Sequence, residues 1–324
     1  MKKLTIILLT LLYSYPCYTA PEPCDSCSSS VQAQTPQDHI TVIKAINHEQ
    51  LIKQATAYEE NGELQKALWV YKELKMDKEA ARLEKQAITT LTKETPKQVI
   101  ANEASGKIQS KIVLYKSSIK AIKKPNQSPR DLGLVNPKFH APSTALSEVA
   151  AYQMDQLLQL NRIPLTILKE KRFSSKSSLQ LFVQAHDAKA VWDKVPAEEK
   201  ILIAAFDYLI QNSDRSKGHN LLYYKDENDD EKLKFVYIDH DAGFKPQIQS
   251  DIQFVKLPQI PQGFSLLENS LLDRFYKNLS SLTEKEIQTT FKSTLNKEQI
   301  QSILSCRQNL LKQFHNRFGP PKCQ

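Results

Sequence analysis

Glycine is scarce in this chain, 7 of 324 residues, and no Gly-x-x-x-x-Gly-Lys-Ser/Thr run occurs. That excludes a P-loop, in which bare backbone wraps the phosphates of a nucleotide. The apolar run from Leu4 to Leu12 is too short to span a bilayer well. Cysteine is sparse too, five in all. No His or second Cys pair stands at ligand spacing from Cys24 and Cys27, which speaks against structural zinc. Neither sign of charge dominates: 44 Lys and Arg face 36 Asp and Glu, a formal +8. Such a balance describes an ordinary soluble surface. It permits an anionic partner such as a nucleotide, a phosphoinositide or an acidic protein, and it lacks the basic excess of a nucleic-acid binder. The length suffices for one large domain or two ordinary ones.

Residues 1–20 read as a secretory signal, with Lys2-Lys3, the apolar run and the small residues Thr19-Ala20. Tyr18 is a poor residue at the cleavage site, and Ser14-Tyr15-Pro16 before Cys17 does not suit a lipid anchor. The expectation is an exported chain: secreted, periplasmic, lumenal or delivered into another cell. Cleavage after Ala20 would leave Cys24, Cys27, Cys306 and Cys323, for which three pairings are open. Local pairs, Cys24 with Cys27 and Cys306 with Cys323, are the simplest. A redox Cys-x-x-Cys is a weak reading in a Pro/Ser-rich tail. Residues 21–40 read as a disordered linker.

Residues 41–92 turn strongly helical. Ala55, Tyr58, Gly62, Ala67, Leu68 and Tyr71 stand at spacings that resemble a tetratricopeptide-type hairpin, with Asn61-Gly62 as its turn and a partial second copy at Asp77–Leu83. Fewer than three repeats do not make a free-standing solenoid. The segment is therefore expected to pack on the domain C-terminal to it, or to offer a small protein-binding face.

After Pro96 the period changes to that of strands. Residues 111–115 and 119–124 read as a hairpin ended by Pro125. Leu146–Leu160 is a clean helical pattern with Glu148 in its first turn, closed by Asn161-Arg162-Ile163-Pro164. Ser178–Val183 reads as the next strand. Thr283 with Glu286, and Asn296 with Gln299, are candidate capping boxes for later helices. The acidic run Lys225–Glu231 lacks the ligand spacing of an EF-hand and reads as a hairpin turn. The stretch from Asp241 to Phe264, with several Pro and Gln, is expected to be mobile.

The chemistry concentrates in residues 201–244. An apolar helix leads into a polar loop holding Asp214, Arg215 and Asn220, and a later strand ends on Asp239. Phosphoryl transfer from a nucleotide requires an acid to orient the accepting hydroxyl, and an Asn and a further Asp to hold metal ions on the phosphates. All three residue types are present in that order.

Asn212-Ser213-Asp214-Arg215 through Asn220-Leu221-Leu222, followed by Ile238-Asp239-His240, resembles the catalytic loop and metal-binding Asp of the atypical kinases. These include the phosphatidylinositol 3- and 4-kinases, actin-fragmin kinase and four-jointed-type secretory protein kinases. The resemblance implies an α+β, two-lobed protein-kinase-like fold of the phosphatidylinositol 3-/4-kinase type, preceded by a small α-helical hairpin, with lobes at 97–185 and 186–324. It implies ATP with Mg²⁺ or Mn²⁺ as cofactors. Lys124, with Lys123 as runner-up, would contact the nucleotide phosphates and pair with Glu148. The backbone of Val183, Gln184 and Ala185 would meet the adenine. Asp214 would be the catalytic residue that accepts the hydroxyl proton, Asn220 and Asp239 the metal ligands, Arg215 structural, and His240 a neighbour of the metal site. The pattern departs in one place: Asn usually follows the catalytic Asp by five residues, where this chain has His219, so Asn220 implies one inserted residue or His219 an altered ligand. The covering turn, Asn102–Gly106, holds a single Gly. The acceptor is a protein Ser/Thr or a phosphatidylinositol, with docking to a membrane surface in the lipid case. The alternative is an inactive pseudokinase scaffold that binds a protein partner through its helical hairpin.

Overall fold

The computed structural model describes residues 36–103, 109–127, 143–171, 174–215, 218–226, 229–245 and 255–321. The expected signal, most of the linker, Cys24, Cys27 and Cys323, and most of the covering turn lie outside them. The linker reading fails at its end, since helix α1 (Pro36–Glu60) already begins at Pro36. The chain divides after Ala45, and the larger unit is Ile46–Gln324.

Within that unit, α2 (Leu64–Glu73) and α3 (Asp77–Lys93) follow α1. Gly62 at φ +75 makes the turn between α1 and α2, a left-handed conformation that glycine adopts without strain. The partial copy expected at 77–83 is the first half of α3, whose Asp77 and Glu79 suit the positive end of a helix. These helices do not stand apart. Tyr58, Leu68, Leu83 and Leu91 share one apolar core with Val113, Tyr115, Ile119, Ala121 and Leu179 of the adjoining sheet. The Gln65 side chain also accepts a hydrogen bond from the Leu165 amide at 2.7 Å.

The sheet has five strands in the order β1-β2-β3-β5-β4: β1 (Gln98–Ala101), β2 (Lys111–Leu114), β3 (Lys120–Pro125), β4 (Thr166–Lys171) and β5 (Ser174–Leu181). The expected hairpin is β2–β3, paired antiparallel with Val113 opposite Ala121. Helix α4 (Thr144–Leu158) crosses this sheet, and Gln159 at φ 52 closes it. Its start is tied to the end of β3. The Thr144 hydroxyl donates to the Pro125 carbonyl at 2.7 Å and accepts from the Gln127 amide at 3.1 Å, and Ser143 Oγ donates to the Asn126 side chain.

Beyond β5 the chain runs through β6 (His186–Asp187), a 3-10 helix (Ala188–Lys194), α5 (Ala197–Leu209), and the hairpin of β7 (Leu221–Asp226) and β8 (Asp229–Tyr237). Helices α6 (Leu271–Ser281), α7 (Glu284–Phe291) and α8 (Lys297–Phe318) complete the fold. Thr283 and Asn296 form the two expected capping boxes, at α7 and α8. A large core joins α4 and α5 to these helices through Met154, Phe206, Phe275, Phe291 and Phe314. Cys306 on α8 is a buried thiol that is free among the described residues and accepts a hydrogen bond from Gln211, while its expected partner Cys323 lies outside them.

Candidate functional site

Lys124 is the last residue before the proline that ends β3, and Glu148 lies on the second turn of α4. Tying the start of α4 to the end of β3 brings them together: Lys124 Nζ donates to Glu148 Oε1 at 2.5 Å. The same ammonium reaches Asp239 Oδ1 at 2.6 Å and Asp241 Oδ2 at 3.4 Å. Asp239 follows β8 with φ 59, a left-handed turn for a residue with a side chain, which costs roughly 1 kcal/mol or more. That turn folds the chain back over 239–243, where the Gly243 amide donates to the His240 carbonyl at 2.9 Å. Asp241, Ala242 and Phe244 are all buried there, so the mobile segment expected from Asp241 onward does not begin at that residue. Lys123, the runner-up, precedes Lys124 on β3, where strand alternation turns its side chain to the other face.

Charge governs the site. Burial alone would lower the Lys124 pKa, but Asp239, Asp241 and Glu148 together lift it well above its ordinary value. Burial would raise Glu148, and the Lys124 charge with the His240 hydrogen bonds outweighs it, so this carboxyl titrates below its usual range. Asp239 is likewise lowered: burial opposes ionisation, and Lys124 overcomes it. Asp241 goes the other way, raised well above the carboxylate range by burial and by the negative neighbours Glu148 and Asp239. His240, fully buried, has its imidazole pKa lowered by desolvation against the pull of Glu148. Its backbone amide donates to Glu148 Oε1 at 3.0 Å.

The loop is built differently. Asp207 on α5 holds Arg215 Nε through both oxygens, at 3.2 and 3.0 Å, and Arg215 in turn donates to the carbonyls of Asn220 and Ile238. The expected structural role of Arg215 thus has a partner, Asp207, that no local sequence signal marks. Asn220, at φ 55, donates from its side chain to Asp214 Oδ2 at 3.1 Å. His219 is exposed, and Asn220 is the residue that faces Asp214. Gly218 turns at φ +84 against the 3-10 helix, so close that an added Cβ would lie 2.9 Å from Lys189 Cα. Lys245 donates to Ser213 Oγ beside Asp214, and burial lowers its pKa against the pull of Asp214.

Val183 is buried between Trp69 of α2 and Val236 of β8, Ala185 is half-buried and Gln184 exposed. These three stand apart from the Lys124 cluster, with no hydrogen bond joining them to it among the described residues. A cavity of about 1230 Å³ opens elsewhere, between α2, β8 and α6, and neither Lys124, Glu148, Asp214 nor Asp239 lines it. Glu148, Asp239 and Asp241 each offer an oxygen within 4.8 Å of the others. An all-oxygen donor set of this kind suits a hard divalent cation.

Residues 130–259 match the family model of the HipA-like kinases. That stretch holds Glu148, Asp214, Asn220, Asp239 and Asp241, and stops short of Lys124. No curated protein sequence matches the chain. Among solved structures, the Golgi casein kinase with Mn/ADP bound is similar at 13% identity and a TM-score of 0.49, over 72% of this chain and 75% of that one. The hydra Fam20 structure with sugar is similar at 13% identity and a TM-score of 0.49, over 73% of this chain and 90% of that one.

Proposed function

We propose that this protein is an ATP-dependent kinase that transfers the γ-phosphoryl group to a hydroxyl, that of a protein Ser/Thr or of a phosphatidylinositol headgroup. One observation carries the reading: residues 124, 148 and 239, far apart in sequence, meet at hydrogen-bond distance around a single ammonium. The HipA-like kinase match over 130–259 supports it.

Lys124, held by Glu148, is the cation for the phosphate oxygens of ATP. Asp239 and Asn220 would hold Mg²⁺ or Mn²⁺, and when bound the ion neutralises charge gathering on the phosphates. Asp239 suits this role because its side chain is 36% exposed, whereas Glu148 is closed off at 1%. Asp214 accepts the proton of the attacking hydroxyl as its oxygen bonds to the γ-phosphorus and the bond to the ADP oxygen breaks. Asn220, hydrogen-bonded to Asp214, fixes the carboxylate's orientation. Arg215 ties the end of the loop at Asn220 to the chain leaving β8 at Ile238 through their carbonyls. The backbone of Val183–Ala185 is the proposed adenine edge.

Full-length protein incubated with γ-labelled ATP and Mn²⁺ or Mg²⁺ is expected to label either casein-like protein or phosphoinositide vesicles, and the labelled arm names the acceptor class. Asp214→Asn is expected to abolish labelling while leaving nucleotide binding intact. Nucleotide binding without transfer in the wild-type chain would favour the scaffold reading instead.

A further inference from the structure

Asp241 has no part in the mechanism above, yet it is buried within the same cluster. It is 4% exposed, and its Oδ1 has no hydrogen-bond partner among the described residues. A carboxyl oxygen buried without a partner is unfavourable. The fold nevertheless holds it in place. The left-handed turn at Asp239 and the Gly243 to His240 hydrogen bond bring the carboxylate back beside Asp239. An extended chain would carry it away from that residue.

The three acids of the cluster are not equivalent. Glu148 has two other engagements, the Lys124 ammonium at 2.5 Å and the His240 amide at 3.0 Å. Asp241 touches the same ammonium only at 3.4 Å, the longest of the three contacts. One ammonium has three protons to donate and cannot satisfy all the oxygens of three carboxylates. A cation that takes six or more oxygen ligands can use what remains.

We propose that Asp241 is a divalent-cation ligand, forming with Asp239 a two-carboxylate site for which the Lys124 ammonium and the cation compete. The cation is hard, Mg²⁺ or Mn²⁺, because every donor is oxygen. Its arrival releases Lys124 from Asp239 and Asp241 and leaves it on Glu148, where the ammonium is free to meet phosphate. The proposal deepens the phosphotransfer reading and rests on it for the purpose of the site, but its test does not need turnover.

The test is a Mn²⁺ titration of the full chain without nucleotide, monitored by the electron paramagnetic resonance signal of free Mn²⁺. Asp241→Asn is expected to weaken binding by about tenfold or more. Lys124→Met, which removes the competitor, is expected to bind Mn²⁺ more tightly than wild type. Wild-type affinity in Asp241→Asn, or weaker binding in Lys124→Met, overturns the proposal, and the second variant carries the test should the first fail to fold. Phosphotransfer by the wild-type chain is measured in parallel. Transfer together with Asp241-independent Mn²⁺ binding removes this proposal and keeps the kinase. Asp241-dependent binding without transfer removes the kinase and keeps the site.

Discussion

The carboxylates around Lys124 and the loop from Asp214 to Asn220, the two halves of the proposed site, are built by different means. The first is a long-range assembly: β3, the start of α4 and the turn after β8 each contribute charge, and each charge depends on the others for its ionisation state. The second is braced mostly within the loop, where Arg215 bonds to the Asn220 carbonyl and Asn220 to Asp214. The difference separates two kinds of fragility. Removing a member of the cluster should change chemistry, and removing a brace of the loop should change stability.

The largest effect expected is on chemistry. Asp239→Ala should lower kcat by about a hundredfold to a thousandfold or more, with a melting temperature close to wild type, because this carboxylate is the most exposed of the cluster. Steady-state rates with circular-dichroism melts check both halves. The converse is expected of Arg215→Ala. The Asp207–Arg215 pair has side-chain exposures of 6% and 2%, and deleting one partner of a buried pair costs about 3–5 kcal/mol. Urea unfolding should show that loss, and Asp207→Asn in the same chain should recover part of it. Equal stability in Arg215→Ala would break the comparison.

A third expectation concerns α4, the helix that carries Glu148. At its far end, Asp155 is fully buried, accepts the amides of Arg162 and Ile163, and burial pushes its pKa up to about 6. The folded chain then keeps a proton that the unfolded chain releases near pH 4. The stability from this group is full below that pH and is lost as pH rises through about 6, on the order of 3 kcal/mol. Asp155→Asn should remove this slope from the pH dependence of the unfolding free energy between pH 4 and 6. An unchanged slope would contradict it. The smallest effect is expected of Gly218→Ala, which meets the backbone of Lys189 at a left-handed φ. It should cost roughly 1–3 kcal/mol and reduce turnover more than nucleotide binding, since the displaced loop holds Asp214 and not Lys124.

The features legible in the sequence are mostly local. Both capping boxes depend on side chains three residues apart, and both form. The β2–β3 hairpin and α4 follow from periodicity, whereas Lys124 and Glu148 are picked out only by the resemblance to the atypical kinases. Their meeting depends on Thr144 and Pro125, a link that no periodicity reveals. Asp241 is hidden by the Pro- and Gln-rich stretch after it, although an Asp two residues beyond a strand-ending Asp is itself a visible signal. Strand β1 escapes a sequence reading for a different reason: its four residues are all exposed, with Val99 at 51%, so no alternation marks it. Helical spacing in 46–93 predicts helices and cannot say that they share a core with the sheet. Cys306 shows the same limit, because its burial on the inner face of α8 is a property of the packed fold.

The central claim is that the ammonium amid three carboxylates is a phosphate-binding group. The most direct measurement is the melting temperature of the full chain in constant Mn²⁺, with and without ATP, in wild type and in Lys124→Met. A ligand that binds only the folded state at a hundred times its Kd adds about 2.7 kcal/mol, enough to see as a shift of several degrees. A rise in wild type that is absent from Lys124→Met is the predicted result; no rise in wild type, or the same rise in both, would contradict the account.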